Sequence, residues 1–177
     1  MNPPYPPLIQ IRQEQPEDIP AIREVDTLAF GRPDEAGLVD RLRRNGQGIL
    51  SLVAVRDGRI VGHILFSPVT IEGEGTTAGG MGLGPLAVLP EVQRQGIGSA
   101  LAREGIKILE SQGCPFIVVL GHARYYPRFG FETASRYGLR CTWSVPDEGF
   151  MILIFEGSSL GGVRGEARYR PEFYEEV

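Results

Sequence analysis

Residues 93–98 read Gln-Arg-Gln-Gly-Ile-Gly and stand between an apolar run, Leu83 to Leu89, and an amphipathic stretch that begins at Ile97. The run predicts a strand closed by Pro90, and the stretch predicts a helix. The glycines between them carry no Cβ, so a ligand can approach the backbone closely, and the helix opens with N–H groups that have no carbonyl partner. Those donors, with the positive end of the helix dipole, make an anion site that suits a phosphate. The turn is not a dinucleotide fingerprint, because Leu101 stands where the third glycine belongs. Nor is it a Walker A loop, since no Gly-Lys-Ser/Thr occurs in the chain. Taken alone, a tight strand-to-helix turn accounts for the glycine pair equally well.

Upstream, Leu8 to Arg12 alternates as a strand does, and Pro16, Glu17 and Asp18 open a helix that buries Ile19, Ile22, Val25 and Ala29 and stops at Gly31. A second helix is expected over Pro33 to Asn45, with Leu38, Val39 and Leu42 as its stripe. Ile49 to Val55 and Ile60 to Phe66 read as strands joined through Arg56-Asp57-Gly58-Arg59, whose Asp-Gly pair is a hairpin signal. The second continues to Ile71, with Pro68 as a bulge or edge position, before a glycine-rich loop from Glu72 to Gly80. Downstream of the turn, Ile97, Ala100, Leu101, Ile108 and Leu109 form a buried stripe ending at Gly113. Pro115 to Leu120 is a buried strand, a short helix is expected over Ala123 to Arg128, and Phe150 to Phe155 is a late strand before a glycine- and charge-rich tail. The order β-α-α-β-β-β-α-β-α-β is a mixed α+β layout.

A chain of 177 residues at 42% hydrophobic and 23% charged is long enough to bury one core. We expect a single domain over 8–177 behind a flexible N-terminal arm, Met1 to Pro7, which has neither the basic nor the apolar region of a signal peptide. A formal charge of −4 speaks against a nucleic-acid or anionic-membrane surface, and no apolar run is long enough to span a bilayer. Cys114 and Cys141, without a CxxC and beside only two histidines, support neither zinc nor a disulfide framework, so no metal is expected and the cytoplasm fits best.

The turn has a companion. Tyr126 lies 28 residues beyond Gly98, within Tyr-Tyr-Pro-Arg-Phe-Gly-Phe (125–131). Together with Leu-Gly-Pro-Leu-Ala-Val-Leu-Pro-Glu-Val before Gln93, this pairing resembles the GNAT superfamily of acyl-CoA N-acyltransferases, across Leu8 to Phe155. Leu120-Gly121, the Tyr125 to Phe131 run and a tail with Tyr169 and Phe173 look most like a little-characterised bacterial subgroup. The resemblance implies a GNAT-like α/β sandwich with a mixed central sheet flanked by helices. It also implies acetyl-CoA as cosubstrate, a primary amine as acceptor, direct attack in a ternary complex, and self-association as a homodimer.

Carried onto these residues, the resemblance puts a bulge around Leu86, Ala87 and Val88 that splays the fourth strand from the fifth and turns the Val88 N–H toward the thioester carbonyl. Arg94, Gln95, Gly96, Ile97, Gly98 and Ser99 would surround the pyrophosphate, Arg94 adding a charge or standing as an exposed turn residue. Arg103 and Lys107 reach the 3′-phosphate or form a solvated face. Tyr126 is the candidate general acid, since a phenol stays protonated at neutral pH. The base is left open among Glu72, Glu74, Asp26, Glu24 and His122, or a water chain or already neutral amine that needs none; His122 is carried forward because an imidazole titrates near neutrality and this one follows a strand end. His63, inside a strand, reads as structural. Acceptor specificity is expected in segments Phe30 to Gly48 and Glu72 to Gly80. The strand over Met81 to Leu89 has no carboxylate, which leaves a rival reading: a non-catalytic acyl-CoA-binding or sensing domain.

Overall fold

The computed structural model describes residues 8–158 and 160–175, so the expected arm over 1–7 lies outside them. Strand β1 (Ile9–Gln13) leads through a 3-10 turn at Pro16–Asp18 into α1 (Ile19–Phe30) and α2 (Asp34–Asn45). Then come β2 (Leu50–Arg56), β3 (Arg59–Glu72) and β4 (Thr77–Val88), followed by α3 (Ile97–Ser111) and β5 (Phe116–Leu120). Short strands β6 (Glu132–Thr133) and β7 (Leu139–Cys141) precede β8 (Phe150–Ile154) and β9 (Gly165–Arg168). They build a mixed sheet in the order β1-β2-β3-β4-β5-β8-β6, with β9 bridging β3 and β7. Among the described residues only β4 with β5 and β7 with β9 are parallel pairs.

The two sheet faces follow from the period-2 alternation of β3. On one face a Cβ at Gly62 would touch Ile97 and Leu101 at 3.0 Å, which places α3 there. On the other face His63 meets Asp26 of α1, which α2 packs against. The main core lies between these layers, with Leu42, Leu52, Ile64, Phe66, Leu101 and Ile117 fully buried. A second core, including Phe116, Val118, Leu139, Ile152, Val163 and Ala167, fastens the C-terminal segment to the far end of the sheet.

Three expectations need correction. The segment from Glu72 to Gly80 is not a loop: β3 and β4 are paired from Glu72↔Thr77 onward, leaving only the tight turn between them. Gly80 serves packing instead, since a Cβ there would lie 2.6 Å from Phe116, as one at Gly82 just beyond would lie 2.8 Å from Tyr169. The helix expected over Ala123 to Arg128 is a 3-10 turn at Tyr126–Phe129. The tail also carries a strand, β9, that pairs with β3 at Thr70 to Glu72. Pro68 lies in β3 between Phe66, the last residue paired with β2, and Thr70, the first paired with β9, so its missing N–H costs no ladder bond on that side.

Candidate active site

Strands β4 and β5 pair only over Met81–Leu83 with Ile117–Val119, and part beyond them. The cause is one extra residue in β4: Ile64 faces Leu86 while Phe66 faces Leu83, which puts the bulge at Gly84–Pro85, just ahead of the expected 86–88. The opening that results exposes a strand edge. Leu89 donates its N–H to Val61 across the ladder, so the preceding residue presents its polar groups on the opposite side. The Val88 carbonyl indeed takes Gln93 Nε2 at 3.0 Å on that side, and the Val88 N–H faces the cleft beside it. Ala87 pairs with His63 in the ladder and is buried, lining neither of the cavities described below.

At the mouth of this cleft the glycine turn is wound as the sequence requires. Arg94 has φ 62° and Gly96 φ 84°, both left-handed, and Gly96 caps α3 without a side chain. Ala100 donates to the Gly96 carbonyl at 3.0 Å, and among the described residues nothing takes the N–H groups of Ile97, Gly98 and Ser99. Gln95 is drawn outward by Arg56 Nη1 at 2.7 Å and borders neither of the two cavities. A Cβ on Gly98 would lie 3.3 Å from the Tyr125 hydroxyl, so the missing side chain keeps the cradle open. Arg94 and Arg128 both line this cavity of about 620 Å³, and no carboxylate pairs with either among the described residues. Three free N–H groups, a helix N-terminus and two unneutralised cations fit a pyrophosphate. Arg103 lies over Phe129 at 5.2 Å instead, and neither it nor Lys107 borders the cavity.

Tyr125 joins this cradle to the interior. Its hydroxyl meets Ser99 Oγ at 3.1 Å, and the Arg128 guanidinium lies over its ring at 4.3 Å while Nε donates to its carbonyl. Behind it opens a second cavity of about 610 Å³ that shares Leu86, His122 and Tyr125 with the first. Tyr126 stands in its wall, its ring against the Gly121 backbone and edge-on to Phe131. Burial, and then the neighbouring Tyr125, push the Tyr126 phenol up to about 12, so its hydroxyl stays a donor across the working pH range. No partner takes that hydroxyl among the described residues. His122 is exposed where the two cavities meet.

The other base candidates are elsewhere. Glu72 pairs with Arg168 and, like Glu74, borders a different cleft, and Glu24 is exposed on α1. Asp26 is fully buried and committed to His63, with Oδ1 3.0 Å from Nδ1. His63 Nε2 reaches Ser51 Oγ at 2.9 Å, Ser51 donates to Glu14, and Arg43 clasps Glu14 at 2.8 and 3.0 Å. Burial raises the Glu14 pKa, but hydrogen bonds from Arg43 and Ser51 outweigh it and hold the carboxyl below its ordinary range. Since ionised Glu14 only accepts, Ser51 spends its proton there, His63 Nε2 donates to Ser51, and one proton is shared between His63 Nδ1 and Asp26. This resembles a catalytic triad in its partners but leaves Ser51 no base.

The inner cavity also holds Phe30, Glu35 and Leu38 from the expected specificity segment Phe30 to Gly48, Tyr169 and Phe173 of the C-terminal segment, noted in the sequence only as subgroup marks, and Trp143, which the sequence pattern did not single out. The Glu72 to Gly80 segment, expected to set specificity, does not border it.

Strand splay, bulge and glycine-turned helix together define an acyl-CoA N-acyltransferase architecture. The profile of the acetyltransferase (GNAT) domain matches residues 10–134, and the chain belongs to the GNAT acetyltransferase family. It is 37% identical to the uncharacterized N-acetyltransferase YhbS of Escherichia coli K12 over 92% of this chain and 97% of that one. To the uncharacterized N-acetyltransferase YjhQ of the same organism it is 46% identical over 74% of each. The crystal structure of Escherichia coli YhbS with CoA superimposes with a TM-score of 0.90 at 34% identity, covering 100% of this chain and 98% of that one. A GNAT family acetyltransferase from Brucella melitensis in complex with acetyl-CoA gives 0.77 at 37% identity, covering 94% and 98%. The expected fold class is thereby borne out.

Proposed function

We propose that this protein moves an acetyl group from acetyl-CoA to a primary amine by direct attack in a ternary complex. The observation that carries the reading is the meeting of two cavities at Leu86, His122 and Tyr125, one built for an anion and the other walled by Tyr126. In this reading the N–H groups of Ile97, Gly98 and Ser99, with Arg94 and Arg128, hold the pyrophosphate of the coenzyme. The edge of β4 from Leu86 to Val88 lines up the pantetheine arm. The amine nitrogen attacks the thioester carbonyl carbon and forms the C–N bond. The Val88 N–H stabilises the oxyanion, and collapse breaks the C–S bond. Tyr126 gives its hydroxyl proton to the departing sulfur and recovers one from solvent, while the proton lost by the nitrogen passes to His122 or water.

The two free cysteines and the absence of any described helix long and apolar enough to cross a membrane accord with a cytoplasmic enzyme. Release of free thiol from acetyl-CoA across an amine panel tests the proposal. Amine-dependent release supports it; binding of acetyl-CoA with no release from any amine replaces it with a sensing domain.

A further inference from the structure

We infer that the acceptor is a small primary amine carried on a flat apolar body and lacking a carboxylate, of the arylalkylamine kind. This rests on the acetyl-transfer reading and names the occupant of its inner cavity. The wall opposite the β4 edge is built from Phe30 and Leu38 of the helical layer, Trp143, and Tyr169 and Phe173 of the C-terminal segment. These rings are fixed before any ligand arrives. Trp143 stacks on Tyr174 at 5.1 Å and 15° and meets Tyr169 edge-on at 5.2 Å, and Tyr169 lies 5.1 Å from Phe173. Arg170 fastens the same segment to the end of α2 by donating to the Asn45 carbonyl at 3.0 Å. A preformed aromatic wall favours a rigid, flat, apolar ligand.

Charge narrows the class. Among the described residues Glu35 supplies the single carboxylate in the wall, and no lysine or arginine lines it. Arg32 pairs with Glu35 at 2.6 Å and with Asp34 at 3.7 Å, so the Glu35 carboxylate is itself compensated. The α-carboxylate of an amino acid therefore meets an already paired carboxylate and finds no free cation, whereas an amine without a carboxylate has no such group to leave unpaired. A peptide fares poorly for another reason. Its backbone N–H and C=O groups would face aromatic side chains that offer them few partners.

Trp143 is the chain's one tryptophan, so its fluorescence reports on the inner cavity whether or not turnover occurs. With coenzyme A present, 2-phenylethylamine and tyramine should change that emission saturably, and Trp143→Phe should abolish the signal. In thiol release, 2-phenylethylamine should exceed phenylalanine, spermidine and a lysine peptide in kcat/KM by at least about tenfold. Trp143→Ala should raise KM for 2-phenylethylamine by about tenfold with kcat little changed, and Glu35→Gln should shrink the preference over phenylalanine by a similar factor. Saturable emission changes without thiol release from any amine would keep the inferred ligand class and overturn acetyl transfer. Turnover of spermidine, phenylalanine or the peptide, with no emission change or turnover from the arylalkylamines, would overturn the inference while leaving acetyl transfer standing.

Discussion

The hydroxyl of Tyr125 and Oγ of Ser99 lie 3.1 Å apart, joining the turn after β5 to the first helical turn of α3. Ser99 has a backbone N–H free for the anion, and Tyr125 borders both cavities, so the contact fixes the spacing between cofactor cradle and reaction chamber. Next to it Tyr126 has no such partner and is buried against Phe131. Adjacent tyrosines thus have different surroundings, and the proposed mechanism gives them different tasks.

Replacing each hydroxyl should separate those tasks. Tyr126→Phe is expected to lower kcat by about 10²-fold or more while leaving KM for acetyl-CoA near its original value. Tyr125→Phe should weaken coenzyme binding several-fold, as loss of one net hydrogen bond of about 1 kcal/mol does, with kcat nearly unchanged. Steady-state kinetics with acetyl-CoA varied at saturating amine distinguish the two; equal kcat losses would contradict the division.

The cradle at Gly98 makes a second prediction. A larger side chain there projects toward Tyr125 and the side chains of Val88 and Leu86, so Gly98→Val should keep the fold and block the coenzyme. At a hundred times Kd, ligand binding stabilises a protein by about 2.7 kcal/mol. Thermal melts should show that gain with coenzyme A in the parent protein and lose it in the variant, with circular dichroism unaltered.

The buried chain from Asp26 to Arg43 predicts a pH-dependent contribution to stability. The Glu14 pKa is lower in the folded than in the unfolded protein, so its contribution is present above the unfolded value of about 4.3 and is lost as pH falls through the folded one. Glu14→Gln should therefore cost about 1–3 kcal/mol at pH 7, and the gap to the parent should narrow below pH ~4 in urea unfolding. A gap that stays constant with pH would remove the ionised carboxylate from the account. Asp26→Ala should also be damaging, by about 1–3 kcal/mol, because it leaves His63 Nδ1 buried without its partner.

At alkaline pH the sign reverses. The Tyr126 phenol is raised to about 12, above the unfolded value of about 10, so its contribution is complete below pH ~10 and lost as pH rises through 12. The same shift implies that kcat shows no alkaline loss from this residue before pH ~11, provided the protein stays folded. A tyrosine ionisation seen by ultraviolet difference spectra near pH 10 in the parent and missing in Tyr126→Phe would contradict the burial argument.

What the sequence disclosed tracks how local each signal is. The Asp57-Gly58 hairpin, the stripe through Ile97, Leu101 and Leu109, and the stop at Gly31 depend on neighbours within a few residues, and all three stand in the structure. The anion turn was legible for the same reason. Gly79 and Gly80 were misread as loop because the close approach of Phe116 to Gly80, which the glycine permits, comes from a strand far along the chain. β9 is four residues of Gly-Glu-Ala-Arg with no apolar alternation, and its pairing with β3 is what makes it a strand. The inner cavity was least legible: Glu35, Trp143, Tyr169 and Phe173 meet only after the whole sheet is assembled.

The most direct test of acetyl transfer is the initial rate of free thiol release from acetyl-CoA with and without amine, with mass spectrometry of the amine product. The account predicts amine-dependent release, a matching gain of one acetyl group on the amine, and loss of at least about 99% of the rate in Tyr126→Phe. Saturable binding of acetyl-CoA with no thiol released above the amine-free background from any amine would contradict it.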